Sequence, residues 1–319
     1  PYGWENLVWS FQIGWYVMVL FSLLAVWGLL LQPNFTFLWW LGAISGFFAF
    51  FNLASGVAIL FIIIFLKLYL MTIDAGQRLS HLPTILLGVV MASICLTLIA
   101  PAPLAEEASI STFLFALGSN LAWPWVTQPI LSLLLYLPLF ALGLKILWLR
   151  RKPSPAELWV LAIGGWVILQ AAGLAYSRST TLVYLQGAGP NSRYMETLAL
   201  GPLMNLLAFH FLAQSWYGLP PLSKRYLNTY ATLWGGIVIA GVSVLMFTNG
   251  LGGLPALQEQ AWRRVDQLNY TREFLLTGDL NIFKDKPFKH VPYYEPEELA
   301  RLLSNPPIRA LLPSSLAMP

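Results

Sequence analysis

The chain has 319 residues, of which 57% are hydrophobic and 10% charged, and its mean hydropathy is +0.66. Soluble domains carry about 25% charged residues and disordered chains are poor in apolar ones, so both classes are excluded. A net charge of +4 scattered along the chain makes no phosphate-tracking stripe, which excludes nucleic-acid binding. What remains is an all-α, polytopic transmembrane helix bundle. Its 14 Trp residues suit aromatic anchoring at bilayer interfaces, and its one cysteine, Cys95, can form no intrachain disulfide. The chain begins at Pro1 with no basic leader, and reads as a segment lacking the N-terminal part of a longer protein.

A bilayer crossing needs about 20 mostly apolar residues. No charged side chain occurs from Asn6 to Leu66, room for more than one crossing. The first span is Ile13–Leu31, ended by Gln32-Pro33-Asn34, because proline lacks a donor and disfavours helix before it. Thr36–Phe51 and Gly56–Leu70 follow; both are short, and the residues 36–70 read as two spans joined by a tight turn at Asn52–Ser55. Thr84–Ala100 is the fourth span. Ile110–Trp123 is apolar but interrupted by Gly118, Ser119 and Asn120, which predicts a helix lying on the membrane surface. Val126–Trp148 is the fifth span, with Pro138 as its kink site. Leu158–Tyr176, Thr197–Tyr217 and Thr229–Thr248 bring the count to eight.

An even count puts both termini on one side. Lys67, Arg78, Lys145, Arg150, Arg151, Lys152, Lys224 and Arg225 then fall on the other, against Arg178 and Arg193 with the termini. The excess of basic residues marks the cytoplasmic side, so both termini are expected to be extracytoplasmic.

Residues 1–250 form the transmembrane helical domain, and the composition changes after them. Residues 251–319 hold eight of the 18 Lys/Arg and eight of the 14 Asp/Glu. Leu257, Ala261, Val265, Leu268, Arg272 and Leu275 share one helical stripe, which predicts an amphipathic helix over Pro255–Thr277. Pro296 opens a short helix through Leu303, with Glu297 and Glu298 favourably placed in its first turn. The tail is expected to be extracytoplasmic, mainly helical and too small to bury a substantial core.

Polar residues are few enough to weigh singly. The connection Ser177–Glu196, SRSTTLVYLQGAGPNSRYME, holds the two cations that run against the charge bias, Arg178 and Arg193. A guanidinium fork matches phosphate oxygens, and two of them flanking one loop would clamp the phosphate of a lipid-carried substrate. The alternatives are an Arg193–Glu196 pair at i,i+3 or side chains snorkelling to headgroups. Tyr184 and Tyr194 would stack on a sugar face, or serve as interfacial anchors. Glu5, in WENLVWSFQ before the first span, is the candidate general base, with a solvated flank residue as the alternative. Glu106 and Glu107 adjoin but point apart on a helix, so paired acid–base work is not expected of them. Gln170, Asn205 and His210 fall inside spans, where interhelical hydrogen bonds are the commonest use of such groups. His81, His210 and His290 lie at different depths, so no three-histidine metal site is expected. Asn269-Tyr270-Thr271 is a glycosylation sequon that matters only in a eukaryotic host.

WENLVWSFQ, the Arg178 and SRYMETLALG loop and the tail run NPPIRALLPSSL resemble bacterial GT-C-type glycosyltransferases, over most of the chain but at family level. The resemblance implies a multi-pass protein of the bacterial inner membrane that uses a polyprenyl-phosphate sugar on the extracytoplasmic face. Its substrate site would draw on Arg178, Arg193, Tyr194 and Glu196. A divalent metal is compatible with such chemistry, and no residue set here identifies a site for one. The family's catalytic acid follows its first span, in a loop that would here precede Ile13. Only Glu5 fills that place, and a chain lacking the preceding part is expected to be inactive alone. The partners implied are the bilayer and a lipid-linked sugar phosphate, with no nucleic acid. Two other readings stay open: a transporter or flippase of a lipid-linked or small anionic substrate, built on Pro-broken spans, and a non-catalytic scaffold whose tail docks a partner.

Overall fold

The structure is a computed structural model that describes residues 13–74, 76–99, 109–178, 194–214, 221–284, 286–287, 290–293, 295–312 and 316. Every regular element among them is helical, as hydrocarbon demands: helices satisfy their backbone groups internally. The chain divides into two units, Pro1–Met246 and Phe247–Pro319.

The first unit is a multi-pass bundle. Its helices are α1 (Ile13–Leu31, the last six residues a π-helical turn), α2 (Phe37–Asn52), α3 (Ala58–Ile73) and α4 (Arg78–Leu98). Then come α5 (Ile110–Leu121), α6 (Leu131–Leu149), α7 (Pro155–Arg178), α8 (Met195–Gln214) and the first part of α9 (Pro221–Thr277). Seven segments are long and apolar enough to cross a membrane: α1, Ala54–Ile73, α4, α6, α7, α8 and Ser223–Phe247. All seven coincide with spans read from the sequence.

The eighth, α2, has 16 residues and is about 24 Å long, short of the ~30 Å hydrocarbon thickness. Its two ends are nevertheless fixed at opposite ends of the bundle. At one, Asn34 Nδ2 donates to the Ser80 carbonyl and Thr84 Oγ1 donates to Asn34 Oδ1 at 2.9 Å, while Trp39 Nε1 donates to Thr84 Oγ1 at 2.9 Å. At the other, Gln170 Nε2 donates to the Ser55 carbonyl at 2.8 Å. The helix therefore traverses the bundle beside α1, and the residues 36–70 hold two antiparallel helices. Contact between α1 and α2 is made by glycines. A Cβ on Gly28 would lie 2.6 Å from Gly42 Cα, and one on Gly42 2.7 Å from Gly28 Cα. Small residues let helix backbones approach where lipid offers no hydrophobic drive.

Two expectations are corrected here. Ile110–Trp123 does not form a helix lying flat: α5 runs antiparallel along α7, with Ala116 against Ala175 and Asn120 Nδ2 donating to the Ala171 carbonyl at 2.9 Å. Its Ser109 capping box starts the helix, and buried Ala116, Ser119 and Asn120 give it an inward face that the apolar average concealed. The residues 122–130 are turns rather than the opening of a span, and Trp125 Nε1 holds them to the Ile237 carbonyl at 2.8 Å. Non-helical backbone at such a depth is tolerated where protein buries it.

Pro138 lies inside α6, which stays helical from Leu131 to Leu149, and its bonding consequences are resolved atom by atom. Proline leaves the Leu134 carbonyl without its helical donor; the Tyr230 O–H donates to it at 2.8 Å. Leu139 N–H turns to Asn205 Oδ1 at 3.0 Å, and Trp234 Nε1 donates to the Leu135 carbonyl at 3.1 Å. Side chains of α8 and α9 thus replace the ladder that Pro138 removes from α6.

In the second unit, the helix expected to begin at Pro255 is the continuation of α9, whose backbone is helical through residues 249–255. Its inward face keeps only part of the predicted stripe: Leu268 and Leu275 pack inward together with Tyr270 and Phe274, whereas Val265 is 53% exposed. α10 (Pro296–Leu303) has Pro296 in its first turn beside Glu297 and Glu298, as the sequence indicates. The tail does bury a core, of Phe274, Leu275, Phe283, Val291, Leu299, Leu303 and Leu316. The chain after Thr277 folds back on the helix to close it, a non-local step that local patterning does not reveal. Arg309 Nη2, donating to the Leu275 carbonyl at 3.2 Å, secures that return.

Candidate functional site

The residues singled out in the Ser177–Glu196 connection converge in part. Tyr194 and Glu196 open α8, and the fold brings them against the start of α1, about 180 residues away in sequence. The Tyr194 and Trp15 rings meet edge to face, with centroids 5.0 Å apart. Tyr16 on α1 and Glu196 on α8 lie close enough to act on each other electrostatically. Behind them, Tyr194 packs against the buried cluster of Trp123, Val126, Ala171, Met195 and Leu198. The result is an aromatic corner beside one carboxylate at a helix N-terminus, where negative charge is favoured.

Arg178 stands in the last turn of α7 and is exposed, a position that also suits a cation electrostatically. Arg193 and Glu5 lie outside the described residues, as do Tyr184, Glu106 and Glu107. The intramembrane polar residues divide. Gln170 and Asn205 make interhelical hydrogen bonds, as expected of them. His210 does not: its ring is exposed and pairs with Gln214 Nε2 at 3.2 Å on its own helix. The i,i+4 spacing makes that local bond available without a neighbour. The sequon falls inside α9, where Thr271 is buried and its hydroxyl donates to the Gln267 carbonyl at 2.7 Å. Among the described residues, no group of three His, Cys, Asp or Glu side chains converges on a point.

The opposite end of the bundle carries most of the charge. Arg151 and Glu157 pair twice, once at 2.8 Å, and Ser154 N–H donates to the same carboxylate at 2.8 Å. Lys152 Nζ reaches Asp74 Oδ2 at 2.6 Å, tying the α3–α4 turn to the α6–α7 turn. The hydrogen bond from Lys152 holds the Asp74 carboxyl below the usual carboxylate range. Tyr69 donates to the carbonyls of Ile146 at 2.9 Å and Arg151 at 3.3 Å. Lys67 and His81 lie buried beside this belt. Sequence reasoning counted Lys67 only as a topology charge and missed its pairing in space with His81; its place six residues before the end of an apolar helix was the available signal.

Fold and composition define a multi-pass, all-α integral membrane protein. Comparison with protein-family models, curated proteins and solved structures finds no match.

Proposed function

We propose that the protein is a membrane-embedded glycosyltransferase of the GT-C type, or the membrane part of one. It would transfer a sugar from a polyprenyl-phosphate carrier on the extracytoplasmic face of a bacterial inner membrane. The observation that supports this reading is the corner of Trp15, Tyr16, Tyr194 and Glu196. Aromatic rings and a carboxylate acceptor are what a sugar ring and its hydroxyls need. The corner sits at the end of the bundle away from the belt of basic residues, the end that the charge bias assigns to the outside.

In this reading Arg178 and Arg193 hold the phosphate, while Tyr194 and Glu196 contact the sugar. The acceptor hydroxyl oxygen bonds to the anomeric carbon as the bond to the phosphate oxygen breaks. Polyprenyl phosphate leaves, and Glu5 is the candidate to take the hydroxyl proton. The test uses membranes carrying the complete chain and a radiolabelled polyprenyl-phosphate sugar. The R178A/R193A double variant and E196Q are each expected to lower transfer at least tenfold; undiminished transfer in both removes the proposal.

A transporter is the second reading, favoured by the interrupted hydrogen-bond ladder of α6 at Pro138, since proline-interrupted helices line many transport sites. Against it, the groups freed at that gap are bonded within the protein, leaving nothing there to hold cargo. Flux of labelled lipid-linked sugar into proteoliposomes without covalent transfer would replace the first reading by this one.

A further inference from the structure

We infer that Lys67 and His81, packed between α3 and α4 at the basic end of the bundle, form a binding site for a phosphate oxyanion. Lys67 is 5% exposed, and His81 is 7% exposed. His81 Nε2 is a buried ring nitrogen with no hydrogen-bond partner among the described residues; the Lys67 side chain is buried along its length, while its ammonium is not sealed from solvent. The two are close enough to act on each other electrostatically.

Counter-charge from the protein is already committed. The two carboxylates described at this end are Asp74, bound by Lys152, and Glu157, bound by Arg151. Asp74 and Lys152 are also the other charged groups that act on His81. They form a pair of opposite charges, so Lys67 remains the uncompensated cation. Thr84, one turn beyond His81, is likewise occupied by Trp39 and Asn34. A cation held at the edge of the hydrocarbon with no anion beside it pairs with a partner or serves a ligand.

Position and chemistry select the ligand. Lys67 precedes the end of α3 by six residues, about 9 Å along the axis, the depth of the boundary between hydrocarbon and headgroups. The site also lies at the N-terminus of the 21-residue α4, whose dipole adds positive potential. Ammonium, imidazole N–H and helix N-terminus together suit phosphate oxygens, and basic pockets between spans take lipid headgroups by this means. The phosphate can belong to an anionic lipid or be free in solution.

The test compares full-length protein in nanodiscs of phosphatidylcholine with nanodiscs doped with phosphatidylglycerol. Retained phosphatidylglycerol is read by native mass spectrometry after delipidation, and a second arm reads the unfolding midpoint against inorganic phosphate at constant ionic strength. The wild type is expected to retain the lipid, and Lys67→Met and His81→Gln each to retain it about tenfold less. Arg150→Gln, an exposed cation at the same end, should change nothing, which separates the site from general attraction to the basic surface. A midpoint that rises with phosphate in the wild type and not in Lys67→Met, without lipid retention, assigns the site to free phosphate. If Lys67→Met fails to fold, Lys67→Arg should retain the ligand while His81→Gln loses it. Retention by His81→Gln or Lys67→Met equal to wild type overturns the inference, as does a wild type that answers to neither probe.

Discussion

Asn205 Oδ1 accepts the backbone N–H of Leu139 at 3.0 Å, one residue past the proline that interrupts the hydrogen-bond ladder of α6. The same side chain donates through Nδ2 to the Gly201 carbonyl on its own helix at 2.9 Å, and the residue is fully buried. One amide thus locks the gap in the ladder of α6 to α8, where no water is available to take its place. Asn205→Ala should lower stability by about 1–3 kcal/mol, the cost of leaving a buried donor unmade. In a Pro138→Ala background the ladder of α6 can re-form, so the same substitution should cost less. A double-mutant cycle on unfolding midpoints in detergent measures the coupling; additive effects would show that Asn205 does not serve the gap.

The glycine contact between α1 and α2 is a second test of packing. Gly28→Ala places a methyl group 2.5 Å from the Leu38 carbonyl oxygen, and backbone cannot yield as a side chain can. A loss of about 1–3 kcal/mol is expected, the ordinary cost of overpacking. Gly173→Ala, whose Cβ meets nothing within 4 Å, is the matched control and should be neutral.

Acid should loosen the basic end in a defined way. Asp74 has a folded-state pKa below its ordinary value because Lys152 hydrogen-bonds the carboxylate. A depressed pKa contributes stability that is present above the unfolded value and lost as pH falls through the folded one. Wild type should therefore lose stability relative to Asp74→Asn on acidification below about pH 4, and the difference should be constant near neutrality. The unfolding midpoints of both proteins across that range make the comparison.

Orientation can be read with single cysteines. Cys95 is fully buried and should stay silent to a membrane-impermeant maleimide. Arg178→Cys, exposed at the end of α7, should label in intact cells; Arg150→Cys, exposed at the basic end, should label only after permeabilisation. The reverse pattern would invert the sidedness on which the proposed function depends.

The tail's core makes a further prediction. Phe283 is 2% exposed and its ring lies 5.1 Å from that of Phe274. Phe283→Ala should cost about 3–5 kcal/mol locally. Amide exchange confined to the residues 266–312 should accelerate while the bundle is unchanged.

The sequence by itself determined the class of this protein and the places of its long spans. Twenty contiguous apolar residues leave helix as the main solution in lipid, whatever their neighbours do. It also located the gap in the hydrogen-bond ladder at Pro138 and the bonding use of Gln170 and Asn205, because proline and a buried amide have few alternatives. Three things depended on tertiary structure. The short α2 became a full traverse only through Asn34, Ser80 and Ser55; α5 became a helix alongside α7 through Ala116 and Asn120. The meetings of Tyr194 with Trp15, Tyr16 with Glu196 and Lys67 with His81 belong to the same group. Each joins residues on different helices, and helical periodicity records which way a residue faces on its own helix but not which helix it will face.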